Sequence, residues 1–148
     1  MMILFTYGLN MTPPRFCPSC RFIGRAVVLD NKLVFSGSNA YWGHQGYASL
    51  RYSSGDKAYG VAYQLDPKDL SAMDTSESLG LIGTDTIIKV PVMIRLLDSG
   101  DILKSDTYVQ ARPFPREPSL EYYSRLRNQY IKYEYPLDAL SLALVESR

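Results

Sequence analysis

The chain has 148 residues, enough for one domain that buries about two-thirds of its unfolded surface. Its 16 basic and 15 acidic residues nearly cancel and form no Lys/Arg run, so neither a nucleic acid nor an anionic membrane surface is expected as a partner. Its apolar runs are far shorter than the roughly 20 residues of a spanning helix, and MMILF lacks the charged start and cleavage site of a signal peptide, so the expected location is cytoplasmic.

In chain order, MILFT reads as a first strand, and it runs directly into Tyr7, Gly8, Leu9, Asn10 and Met11. Gly8 permits positive φ and close backbone approach, and Asn10 tolerates the left-handed region or bonds its own backbone. Such a string is either a tight strand-to-helix turn or a nest whose backbone N–H groups bind an anion. Cys17 and Cys20 follow in CPSC. A zinc site would need two more ligands, and His44 is the single histidine. A redox pair prefers to open a helix, whereas the residues after Cys20 read as a strand. Structural or incidental thiols are the reading; a disulfide is allowed but not indicated. With one histidine and no G-x-S-x-G elbow, P-loop or dinucleotide fingerprint, the sequence argues against hydrolase triads and nucleotide enzymes.

Period-two alternation dominates the middle of the chain. RFIGRAVVLDNKLVF reads as a long strand or a hairpin turning near Asp30 and Asn31. SGSNAYWGHQG, residues 36–46, reads as a glycine-rich loop. YASLRY and KAYGVAYQL flank the turn SSGD, with Tyr59, Val61, Tyr63 and Leu65 on one face. TIIKVPVMIRLL and DILKSDTYVQA flank DSGD, with Ile88, Val90, Val92, Ile94 and Leu96 on one face of the first. Pro91 cannot donate to a ladder and should mark an edge or a bulge.

Three helices are expected. Asp66-Pro67 is an N-cap followed by proline at the first helical position, and the helix continues through KDLSAMD. A second opens at Ser119 and aligns Leu120, Tyr123, Leu126 and Tyr130. A third aligns Leu137, Leu140 and Leu144. The whole reads as one α+β domain over residues 1–148, a mostly antiparallel curled sheet or barrel with a few packed helices.

Most acidic residues fall in turns, but Glu77 stands four after Met73 and seven after Leu70, continuing that apolar face if the helix persists. A carboxylate lining a cavity is raised in pKa and suited to proton transfer near neutral pH. The plainer alternative is a solvated helix end, with Asp74 and Glu77 facing water.

The segments YGLNM, CPSCRFIGRAVVLDNKLVF, GYASLRYSSGDKAYGVAYQLDPKDLSAMDTSES and EPSLEYYSRL occur in an order that resembles the gamma-glutamylcyclotransferase-like family, from residue 3 to about 130. The resemblance implies a small closed β-barrel with peripheral helices. It also implies intramolecular aminolysis, in which the α-amine of a small γ-glutamyl substrate attacks its own γ-carbonyl and releases 5-oxoproline and a free amine, with no cofactor and no metal. Glu77 would be the general base and then the acid. Tyr7, Gly8, Leu9, Asn10 and Met11 would hold the substrate's carboxylate or carbonyl oxygen, and Tyr108 and Tyr122 match tyrosines of the pocket. His44 matches a histidine of some members but is not expected to be catalytic. Three positions depart from the pattern: Leu9 replaces the loop serine, Ser78 the glycine after the glutamate, and Gly83 or Thr84 a tyrosine. The alternatives are a non-catalytic module binding a carboxylate-bearing metabolite in the same pocket, and a scaffold exposing Tyr123, Leu126 and Tyr130. The oligomeric state and the particular γ-glutamyl compound are not encoded in any motif.

Overall fold

The computed structural model describes residues 2–11, 19–39, 43–76, 80–82 and 85–148. The strands are β1 (Met2–Thr6), β2 (Arg21–Asn39), β3 (Gln45–Leu65), β4 (Gly80–Ile82), β5 (Asp85–Leu96) and β6 (Ile102–Gln110). A single 3-10 turn spans Leu9–Met11, and the helices are α1 (Pro67–Ser76), α2 (Leu120–Lys132) and α3 (Asp138–Glu146). The strand order is β2-β3-β1-β6-β5-β4, and β5 also pairs with β2, so five strands close on themselves with β4 appended. Closure removes the free edges that would otherwise template aggregation. Every pairing is antiparallel except β1 with β6, which run parallel and meet at Leu4 and Asp106. The α+β fold, a mostly antiparallel closed barrel with peripheral helices, is therefore as the sequence led us to expect.

Of the two readings of RFIGRAVVLDNKLVF, the long strand is the one observed, and the two strands read as YASLRY and KAYGVAYQL are one continuous strand, β3. Strand β2 does not turn back at Asp30; it passes through that residue at φ 56° with a break in register between Leu29 and Asn31. Opposite, the register jumps from Lys57 to Tyr52, so SSGD is an excursion within β3 rather than a hairpin between two strands. Asp30 Oδ1 accepts the Gly55 N–H at 3.0 Å and joins the two irregularities. Farther along β3 the neighbouring strand lies very close: a Cβ on Gly60 would stand 2.2 Å from the Thr6 carbonyl oxygen, so only glycine fits there. The hairpin β5–β6 turns over DSGD as expected, with Gly100 at φ 78°. Pro91 faces β6 on one side only, because β4 reaches β5 at 85–87 and β2 reaches it at 94–96. The missing N–H thus falls on a local edge. Ile88 leaves the inward face assigned to it: Ile87 is buried and Ile88 exposed.

The helices begin where their caps dictate. Asp66 Oδ1 accepts from the Asp69 N–H at 2.9 Å at the start of α1. That bond, and then the Ser19 hydroxyl at 3.0 Å, holds the Asp66 carboxyl below the usual carboxylate range. Ser119 caps α2 by accepting from the Tyr122 N–H at 3.1 Å. The buried stripe of α2 is Tyr122, Leu126 and Tyr130, while Leu120 is 82% exposed. Leu126 and Tyr130 are fully buried, which removes the exposed patch that a scaffold role required. In α3, Leu140 and Ala143 are buried. Cys20 is disulfide-bonded, where the sequence reading had preferred a thiol; Cys17 lies outside the described residues. Among the described residues no helix is long and apolar enough to cross a membrane.

Candidate functional site

The turn that follows β1 is held from three directions. Its first residue, Tyr7, is buried and donates its hydroxyl proton to the Tyr108 carbonyl of β6 at 2.5 Å. Its last, Met11, is fully buried, and the Met11 N–H donates to the Gly8 carbonyl at 3.3 Å. The Met11 carbonyl accepts from the Tyr63 hydroxyl and, at 3.2 Å, from the Tyr133 hydroxyl. Burial first, then Tyr133 and Tyr135 nearby, push the Tyr63 phenol well above its ordinary pKa, so it stays a proton donor across neutral pH. Tyr63 and Tyr133 were not singled out in the sequence. Alternation puts Tyr63 on an inward face, but nothing in the pattern tells which of twelve tyrosines has a hydroxyl aimed at a backbone carbonyl.

Gly8 does not meet the backbone demand that its type suggests. It does not lie among the positive-φ glycines, and a Cβ there would make ordinary contacts, 3.6 Å from the Tyr122 Oη and 3.7 Å from the Ala48 Cβ. Gly8 thus opens space in front of Tyr122 rather than relieving backbone strain. Tyr122 sits in the first turn of α2, set there by the Ser119 cap, with its ring packed edge-on against Phe35. Its hydroxyl accepts the Ala48 N–H at 2.9 Å. Leu9 and Asn10, in the same turn, are half-buried.

Tyr108 links this turn to α1. Its hydroxyl donates to Asp74 Oδ1, and Lys89 Nζ stands 3.2 Å from the same carboxylate oxygen. Lys89 is the residue directly opposite Tyr108 in the β5–β6 register, so both side chains leave the sheet on the same side. Asp74 is therefore not a solvated residue at a helix end; it ties the last turns of α1 to the barrel. The sequence reading missed it because a helix-end aspartate near a glutamate ordinarily faces water.

Tyr7, Gly8, Leu9, Met11, Tyr108 and Tyr122 are brought together, with Asn10 on the same turn. Glu77 lies outside the described residues, immediately past the end of α1, as do Ser78, Gly83 and Thr84. His44 is exposed in the β2–β3 connection at φ 60°, its N–H on the Asn39 carbonyl. Among the described residues no group of three or more His, Cys, Asp or Glu is placed to hold a metal ion. What the arrangement offers is a backbone turn walled by tyrosines and bordered by a carboxylate–lysine pair.

No family model matches the chain. A human protein named gamma-glutamylcyclotransferase is 27% identical over 126 residues, which are 81% of this chain and 65% of that protein. This chain thus spans just under two-thirds of that relative's length. A solved structure named gamma-glutamyl cyclotransferase superimposes with a TM-score of 0.77 at 22% identity, covering 96% of this chain and 85% of that one. A human protein described as uncharacterized superimposes with a TM-score of 0.78, also at 22% identity and with the same coverage. These two likenesses are of fold.

Proposed function

We propose that this chain, which belongs to the gamma-glutamylcyclotransferase-like family, releases 5-oxoproline from a small γ-glutamyl compound by intramolecular aminolysis. In this reading Glu77 takes a proton from the substrate's α-ammonium. The freed amine attacks the γ-carbonyl carbon, forming the C–N bond of the five-membered lactam. Collapse breaks the bond to the leaving amine, whose nitrogen receives the proton back from Glu77; the second proton of the attacking nitrogen then passes by way of the same carboxylate to the released amine, so the lactam is neutral and the amine departs as its ammonium. Atoms and protons balance between the substrate and Glu77, so the scheme calls on no cofactor. N–H groups of the Tyr7-Gly8-Leu9-Asn10-Met11 turn hold the substrate's carboxylate or the oxyanion, and Tyr108 and Tyr122 position the glutamyl head.

The observation that carries the proposal is the closure of the Tyr7–Met11 turn between Tyr108 and Tyr122, with α1 tied to Tyr108 through Asp74. That tie brings the end of the helix, from which the chain continues to Glu77, to the same wall of tyrosines. The test is 5-oxoproline release from a panel of γ-glutamyl compounds, wild type beside Glu77→Gln. Release by the wild type and a loss of two or more orders of magnitude in kcat by the variant, with melting temperature unchanged, are expected. A folded wild type that binds glutamate-like ligands and releases nothing from any compound would identify a binding module instead.

A further inference from the structure

The carboxylate–lysine pair that borders the turn answers a problem set by α1 itself. The helix has 10 residues, and its one lysine, Lys68, stands at the second of them, beside Asp69 in the first turn. Its last turn holds no basic residue. Asp74 is third from the end, where the last carbonyl groups of a helix lack intrahelical partners and present partial negative charge. A carboxylate in that place is repelled, and a helix so short has few bonds with which to resist fraying. A frayed last turn would give Glu77, the next residue of the chain after Ser76, no fixed point from which to act.

The cation that α1 lacks comes from the barrel. Lys89 Nζ stands 3.2 Å from Asp74 Oδ1 and 3.3 Å from Oδ2, so one ammonium spans both oxygens. The two side chains are 23% and 27% exposed, which leaves the pair less screened by water and salt than one on the open surface. Lys89 is placed by the β5–β6 register, directly opposite Tyr108, whose hydroxyl donates to the same Asp74 Oδ1. The tyrosine contributes a neutral hydrogen bond. Among the described residues Lys89 alone pairs with Asp74 by charge, and it brings that charge to the negative end of the helix.

We propose that Lys89 is a positioning residue for the cyclotransfer: by neutralising Asp74 at the negative end of α1 it keeps the last turn of the helix closed, and so fixes the point from which Glu77 acts. Lys89 gives and takes no proton in the reaction. The inference rests on the cyclotransferase reading for what Glu77 does, but not for the hold of Lys89 on the helix end.

The experiment has two arms, each run on wild type, Lys89→Met and Lys89→Arg. Methionine keeps an unbranched stem without the charge, and arginine keeps the charge. In the first arm, hydrogen exchange of the α1 backbone amides is expected to quicken over the last turn in Lys89→Met and to stay near the wild-type rate in Lys89→Arg. In the second, 5-oxoproline release is followed with the γ-glutamyl compound that the wild type turns over best. Lys89→Met is expected to lower kcat by about tenfold to a hundredfold while KM changes by less than about twofold, and Lys89→Arg to recover most of kcat. A lysine that only supports the fold would lower kcat no further than the folded fraction in a thermal melt. Unchanged exchange or unchanged kcat in Lys89→Met, a loss confined to KM, or a kcat as low in Lys89→Arg as in Lys89→Met would overturn the proposal. A wild type that releases no 5-oxoproline, with a last turn that still loosens in Lys89→Met, would uphold the hold of Lys89 on the helix end and overturn the cyclotransferase reading. Should Lys89→Met not fold, raising the ionic strength on the wild type weakens the same pair and is expected to quicken exchange over the last turn; no change there would overturn the proposal.

Discussion

At Tyr108 two demands meet in one side chain. Its backbone carbonyl anchors Tyr7 and so the Tyr7–Met11 turn, and its hydroxyl anchors Asp74 and so the end of α1. Replacing the residue with phenylalanine leaves the first link and the ring packing in place and removes only the second. Asp74 would keep Lys89 at 3.2 Å, so the carboxylate would remain paired and the helix attached, though less closely oriented. A hydrogen bond to a charged group contributes about 1.5–3 kcal/mol. If the helix end positions the base, Tyr108→Phe should lower kcat by about tenfold or more and change KM little. Steady-state kinetics beside a thermal melt check this: an equal loss in kcat and in folded fraction would reduce Tyr108 to a structural residue. At this scale the structural reasons for the positions that the sequence singled out differ in part from those that the sequence suggested. Gly8 was legible as a special position from the Tyr-Gly-x-Asn string, yet its backbone needs no left-handed φ; what it supplies is room in front of Tyr122. Asp74 was illegible, because its partners Tyr108 and Lys89 lie on strands that only the closed barrel brings to it.

Elements were legible where a cap or an alternation is a local property, and illegible where a neighbour decides the face. The Asp66 and Ser119 caps fixed the starts of α1 and α2 because the bonds they make reach only three residues ahead. The stripe of α2 was placed with Leu120 inside, but the buried positions are Tyr122, Leu126 and Tyr130. A helix of leucines and tyrosines has apolar groups on more than one face, and the barrel selects which one is covered. That selection leaves a cost. Tyr130 is fully buried, its ring packed against Tyr59 and Tyr135, and its hydroxyl has no hydrogen-bond partner among the described residues. An orphaned buried hydroxyl costs about 1–3 kcal/mol of desolvation. Tyr130→Phe keeps the ring contacts and removes the orphan, so it is expected to raise stability by about 1 kcal/mol in denaturant unfolding. A loss of stability instead would mean that the hydroxyl is satisfied in solution.

Over the whole molecule, the closed barrel gathers the phenol groups of residues far apart in sequence. Its closing contacts, β2 with β5 and the parallel pair β1 and β6, join segments separated by some 65 to 100 residues. No local pattern announces such pairings; the family resemblance supplied the barrel where alternation alone left a curled sheet or a barrel open. The consequence is a tyrosine-rich interior with a definite pH response. Burial pushes the phenols of Tyr63, Tyr130 and Tyr135 well above their ordinary value of 10.0. For Tyr63 and Tyr130 neighbouring tyrosines add to the shift, whereas at Tyr135 a backbone hydrogen bond and Arg25 partly oppose it. A raised folded pKa means that the folded state keeps protons that the unfolded chain would lose. Stability is therefore whole below about pH 10, where both states are protonated, and falls as pH rises beyond it, because the unfolded chain gives up three protons that the native state retains. We expect an ultraviolet tyrosinate titration to show a late class of phenols that ionise only as circular dichroism reports the fold being lost, and the two curves should coincide. If all twelve tyrosines ionise near pH 10 with the barrel intact, these three phenols are reached by solvent, and the packing of α2 on β3 is looser than the structure has it.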